Sequence, residues 1–125
     1  MKKQTNYNLL RKKILYKKST IAIIGLGYVG LPLALSFANR NFEVFGLDND
    51  VSKINCLNKK KSYISSVSNL EVQKSLKKKF SPQSDFNYLD KCDIVIVCVP
   101  TPIYKNKKPE MKYVNNVVNQ IRKYN

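Results

Sequence analysis

Glycines at positions 25, 27 and 30 and a proline at 32 interrupt an uncharged run of eighteen residues, Ile21 to Ala38. That interruption constrains the fold more than any other feature. A Lys-rich leader followed by such a run superficially matches a signal peptide or membrane anchor. Four helix-weakening residues within eight positions argue against that, as does the NFEVFGLD segment that follows and reads as a strand ending in an acid. The remaining reading is a buried strand, a phosphate-binding turn and the packing face of a helix, in that order.

A lone GxGxxG pattern is weak evidence, because glycines cluster in many turns. Here it follows a β-branched strand, Thr20 to Ile24, and opens a helix, Val29 to Asn39, with Pro32 in its first turn, where a missing N–H costs little. A second strand, Phe42 to Leu47, ends at Asp48, eighteen residues after Gly30. This is the context of a dinucleotide fingerprint. Gly25 makes the tight turn, Gly27 lets the backbone approach a pyrophosphate, and Gly30 lets helix and strand pack closely. The N–H groups around Tyr28 and Val29 are expected to face the phosphates at a helix N-terminus. Asp48 would accept hydrogen bonds from ribose hydroxyls and repel a 2′-phosphate, so NAD is expected over NADP; Lys53 softens that repulsion. Thr101, after the last apolar run, is placed to line the same crevice or to cap between two turn prolines. The alternative is a structural Gly-rich turn with a capping acid.

Further along, Asn49 or Asp50 can cap a helix from Val51 to about Lys60 that buries Ile54 and Leu57. A loop over 62–67 precedes Ser68-Asn69-Leu70-Glu71, a capping box, whose helix repeats Leu70 and Leu76 at helical spacing. Ile94 to Val99 is the continuous apolar run of a buried parallel strand, stopped by Pro100. Met111, Val114, Val117, Val118 and Ile121 predict one side of a final helix. Alternating strands and helices predict an α/β fold: the N-terminal half of a Rossmann-type doubly wound parallel sheet, in the order 3-2-1. On this reading the chain stops before a fourth strand, leaving strand 1 an open edge and only the adenosine half-site present. Residues 1–19 form a basic helical leader, solvated rather than membrane-bound, and residues 20–125 an incomplete NAD-binding domain.

The net charge of +15 comes from 20 Lys and 3 Arg against 8 acids. The lysines are spread along the chain rather than gathered into one arm, and arginines, which read phosphate and base edges bidentately, are few. Specific nucleic-acid binding is therefore not expected; a steep salt dependence of RNA or DNA affinity would reverse that. The three cysteines, Cys56, Cys92 and Cys98, form no CxxC pair, and the chain has no His, so neither zinc-site spacing nor a His-based triad exists. Free thiols in odd number fit a reducing cytoplasm. Cys98, inside an apolar run, reads as a core residue.

The stretches GLGYVGLPLA (25–34), LDND (47–50) and VPTP (99–102) resemble the UDP-glucose/GDP-mannose dehydrogenase family. KSYIS (61–65), the segment 93–114 and the leader LLRKKILYKK (9–18) are similar to its UDP-N-acetyl-hexosamine 6-dehydrogenase branch. That branch shows a KxxxPDLxYV-like pattern; here it reads KNKKPEMKYV, with Glu110 in place of Asp. The resemblance implies NAD-dependent oxidation of a nucleotide-sugar C6 hydroxymethyl to a carboxylate, for polysaccharide precursors, in typically homo-oligomeric enzymes. The family's catalytic cysteine and its sugar pocket lie in a far C-terminal part, and none of the three cysteines here matches that nucleophile. Carried over residue by residue, the resemblance leaves cofactor contacts only: Gly25, Gly27, Tyr28, Val29, Gly30, Asp48, Lys53 and Thr101. The expected function is the NAD-binding portion of such an enzyme, inactive alone. The alternative is a non-catalytic half-Rossmann module that pairs with a separate chain.

Overall fold

A computed structural model describes residues 2–101, 103 and 105–124. The chain begins with helix α1 (Lys2–Leu15), then strand β1 (Thr20–Ile24), helix α2 (Gly30–Asn39) and strand β2 (Glu43–Leu47). Helices α3 (Val51–Asn58) and α4 (Asn69–Lys77) lead to strand β3 (Phe80–Gln83). A short 3-10 helix (Phe86–Lys91), strand β4 (Ile94–Val97) and helix α5 (Lys112–Tyr124) complete it. The predicted final helix carries Val117 buried and Val114 and Ile121 half-buried, whereas Met111 and Val118 are exposed.

The four strands are parallel in the order β3-β2-β1-β4. The α/β class and a parallel 3-2-1 order agree with the sequence, but the third strand of that order is Phe80–Gln83 and not the expected Ile94–Val99 run, and the expected stop before a fourth strand does not hold. The run Ile94–Val97 is the fourth strand, and it pairs with β1 on the side opposite β2, Ile21 facing Ile94 and Ile24 facing Val97. Strand 1 is therefore central, and the point where the strand order reverses lies within the chain. The miscount has a physical cause. Phe-Ser-Pro-Gln is short and carries Pro82, which argues against a central strand; β3 escapes the objection because it is an edge strand, hydrogen-bonded to β2 alone.

After Thr20, strand β1 is apolar because both of its faces are covered. Ile21 and Ile23 join a core with Leu31, Ala34, Leu35 and Ala38 of α2, Ile54 and Leu57 of α3, and Val72 of α4. Ala22 and Ile24 join Phe45, Leu47, Leu89 and Val117 on the opposite face, under the 3-10 helix and α5. Alternation with period two thus feeds two cores from one strand. Each fully buried Ile or Leu contributes about 1.5–3 kcal/mol.

Local signals set the helix ends. Helix α2 stops in a Schellman motif: Asn41 adopts φ 71°, its N–H donates to Ala38 O, and the Phe42 N–H donates to Phe37 O. Phe37 and Phe42 meet edge to face across it, 5.8 Å between centroids. At α4 the capping box forms as expected, Ser68 Oγ accepting from the Glu71 N–H and Glu71 from the Ser68 N–H. Leu70 is 72% exposed, however, and Val72 takes the core position. Val72 and Leu76, four residues apart, face the core, and Leu70, two positions before Val72, falls on the opposite side of the helix. No described helix is long and apolar enough to cross a membrane.

Candidate cofactor site

The turn after β1 is fastened on both sides. The Gly25 N–H donates to Leu47 O at 2.8 Å, and the Cys98 N–H donates to Ile24 O at 2.7 Å. Gly25 has φ +95°, and a Cβ there would meet the Cys98 carbonyl oxygen at 2.6 Å, so the position demands glycine twice over. At Gly30 a Cβ would fall 1.7 Å from Gly25 O and 3.2 Å from Cys98 Cβ. The start of α2 therefore sits directly on the turn and on the end of the fourth strand. Gly27 is different: a Cβ there would meet nothing within 4 Å. Cys98 is half-buried and fills the angle between turn and helix, a packing role as expected.

Helix α2 begins without a side-chain cap. The N–H groups of Gly27, Tyr28, Val29 and Gly30 find no acceptor among the described residues, whereas Leu31 already donates to Gly27 O. Four unpaired donors at a helix N-terminus, reached over a glycine with open space beside it, form a cradle for an anion. Tyr28 (80% exposed) and Val29 (68%) turn their side chains to solvent, so only their backbone is available to that cradle.

Asp48, at the end of β2, is organised rather than free. Its Oδ2 accepts the Leu26 N–H at 2.9 Å and its Oδ1 accepts the Asp50 N–H at 2.8 Å. Lys53 Nζ lies 3.8 Å from Oδ2. Each carboxylate oxygen keeps a second acceptor site, which suits a vicinal diol. Of the two capping candidates it is Asp50 that closes the start of α3, accepting from the Ser52 N–H at 3.0 Å and from the Ser52 hydroxyl. Those hydrogen bonds, the Ser52 hydroxyl first, hold the Asp50 carboxyl below its ordinary value.

Beside these residues opens a crevice of about 500 Å³ at the carboxyl ends of β1, β2 and β4. Of the sequence-derived candidates it brings together Gly25, Asp48 and Lys53. Gly27, Tyr28, Val29 and Gly30 belong to the adjoining turn, and Thr101 is exposed beyond Val99 and Pro100, which do line the crevice. Helix α5 adds Tyr113, Asn116 and Gln120 to the lining, residues not singled out from the sequence. A signal existed: these positions repeat at helical spacing beside the buried stripe of Val114, Val117 and Ile121. Among the described residues no group of His, Cys, Asp or Glu could hold a metal ion.

A glycine turn at the reversal of a parallel sheet, a bare helix N-terminus and a strand-end acid define a Rossmann-type dinucleotide-binding domain. The model of the UDP-glucose/GDP-mannose dehydrogenase family, NAD binding domain, matches residues 19–125, and the chain belongs to that family. It is 37% identical over 91 residues, 73% of its length, to Protein CapL of Staphylococcus aureus, and covers 20% of that protein. It is 32% identical, in an alignment of 127 positions that covers 97% of this chain, to a UDP-N-acetyl-D-mannosamine dehydrogenase of Methanococcus maripaludis, and covers 27% of that protein. Among solved structures, a GDP-mannose dehydrogenase from Pseudomonas aeruginosa superposes with a TM-score of 0.76 at 33% identity, over 81% of this chain and 24% of the other. The chain thus spans about a quarter of the length of the relatives it matches, and its cofactor is NAD.

Proposed function

We propose that the crevice holds the adenosine and pyrophosphate of NAD through the eight residues named from the sequence. Gly25, Gly27, Tyr28, Val29 and Gly30 supply the turn and the backbone donors. Asp48 accepts the ribose hydroxyls, Lys53 orients that carboxylate, and Thr101 stands at the lip beyond Pro100. Tyr113, Asn116 and Gln120 line the same crevice. The observation that carries this reading is the four unpaired N–H groups that run from Gly27 to Gly30 beside a preorganised Asp48.

On the same reading the chain is the cofactor-binding portion of a nucleotide-sugar 6-dehydrogenase that oxidises the C6 hydroxymethyl of a UDP-N-acetyl-hexosamine to the uronate. Bound NAD⁺ supplies a hydride acceptor. What these residues do is bind and orient it. The thiol nucleophile and the sugar pocket belong to sequence outside this chain, and cytoplasmic location and homo-oligomeric assembly belong to the same proposal. Fluorescence titration of the chain with NADH and NADPH tests it: saturable NADH binding with weaker NADPH binding supports the cofactor assignment. Equal affinity for both, or none for either in a folded sample, overturns it.

A further inference from the structure

Tyr63 lies in the loop between α3 and α4, far in sequence from the glycine turn, and does not line the crevice. Its hydroxyl nevertheless donates to the Leu26 carbonyl oxygen at 2.5 Å. Leu26 is fully buried, and its N–H is the group held by Asp48. Side chains from two separate loops thus fix the peptide groups on either side of one residue. Lys53 joins them, 3.8 Å from the Asp48 carboxylate and 5.8 Å from the Tyr63 ring centroid.

The consequence lies in peptide geometry. The Leu26 carbonyl and the Gly27 N–H belong to the same planar trans peptide and point in opposite directions. Fixing the carbonyl toward Tyr63 aims the first donor of the anion cradle away from Tyr63. The lock is needed there, because Gly27 has open space where a Cβ would stand and glycine resists rotation of its preceding peptide least. A flip would present a carbonyl oxygen where the cradle needs an N–H, replacing attraction for a phosphate by repulsion.

We infer that Tyr63 is a positioning residue for pyrophosphate binding, acting through the Leu26–Gly27 peptide. The inference rests on the assignment of the crevice to NAD. Burial, and then the neighbouring Asp48, Cys56 and Asp50, raise the Tyr63 phenol above its ordinary value. Its hydroxyl therefore stays protonated, and a hydrogen-bond donor, at neutral pH. Tyr63→Phe removes the donor and leaves the ring in place over Lys53.

The test separates the phosphate end of the ligand from the nucleoside end. NMR-monitored titrations of the wild-type chain and Tyr63→Phe with adenosine and with ADP give, for each, the ratio of the two affinities. The expected result is an adenosine affinity unchanged and an ADP affinity about five-fold weaker in Tyr63→Phe, the weight of one ordinary hydrogen bond. A merely structural role would weaken both ligands together, and that outcome overturns the inference, as does an unchanged ratio. Loss of the folded state in Tyr63→Phe, followed by thermal melting, would make Tyr63 a core residue and also overturn it. A wild-type chain that is folded and binds neither ligand would instead remove the NAD assignment itself.

Discussion

Asp48 Oδ2 accepts the Leu26 N–H at 2.9 Å across 22 positions of sequence, so the acid at the end of β2 is part of the glycine turn's own scaffold. The carboxylate that is to meet the ribose therefore also shapes the loop that is to meet the phosphates. Asp48→Asn retains an acceptor for Leu26 but loses the charge, whereas Asp48→Ala loses both. We expect NADH affinity to fall about ten-fold or more in either variant, in line with hydrogen bonds to a charged group. Thermal stability should fall clearly more in Asp48→Ala than in Asp48→Asn. Titration and differential scanning fluorimetry of the pair check this.

The glycines separate into two kinds. Gly30→Ala places a methyl 1.7 Å from the Gly25 carbonyl oxygen, a backbone atom with no room to retreat. Its cost should be about 3 kcal/mol or more in chemical denaturation. Gly27→Ala meets nothing within 4 Å and should leave stability almost unchanged while blocking the pyrophosphate. A stable Gly27→Ala that still binds NADH normally would contradict the cradle.

Much of this was legible in the sequence because its signals are local. The turn glycines, the strand-end acid and the Ser68–Glu71 capping box each carry their own geometry within a few residues. The position of β4 was not legible. Pairing with β1 rather than beyond β2 depends on a strand, Phe80–Gln83, whose Pro82 disguises it, and on packing between residues some seventy positions apart. The α5 wall and the hydroxyl of Tyr63 were hidden for the same reason. Their partners are set by the tertiary fold, and no spacing within one element announces them.

Asp93 ties α1 to the sheet, accepting from Lys13 Nζ at 2.8 Å and from the Thr20 N–H at 3.0 Å. Burial pushes its carboxyl up, but the Lys13 hydrogen bond, the Thr20 N–H and the Lys13 charge outweigh this and hold it below its ordinary 3.8. A carboxyl depressed in the folded state stabilises fully above its unfolded value and loses that contribution as pH falls through the folded value. Asp93→Asn should therefore narrow the gap between the stabilities measured at pH 7 and at pH 3. An unaltered gap would show that the pair contributes nothing.

Two thiols should be slow to react. Burial, with Asp93 and Glu43 nearby, pushes Cys92 up to about 11, and burial alone raises Cys98. The thiolate is the reactive form, so at pH 8 both should alkylate slowly in the native chain and rapidly in denaturant. Time-resolved mass spectrometry of iodoacetamide labelling follows each site. Rapid native labelling of Cys98 would mean that the angle between the turn and α2 opens in solution.

If the glycine cradle and Asp48 together hold NAD, binding of NADH must depend on both. NADH fluorescence is measured against the folded wild-type chain and against Asp48→Ala. Saturable binding by the wild type and a loss of about ten-fold or more in the variant are expected. A folded wild-type chain with no NADH affinity, or an Asp48→Ala chain that binds as tightly, would contradict this assignment.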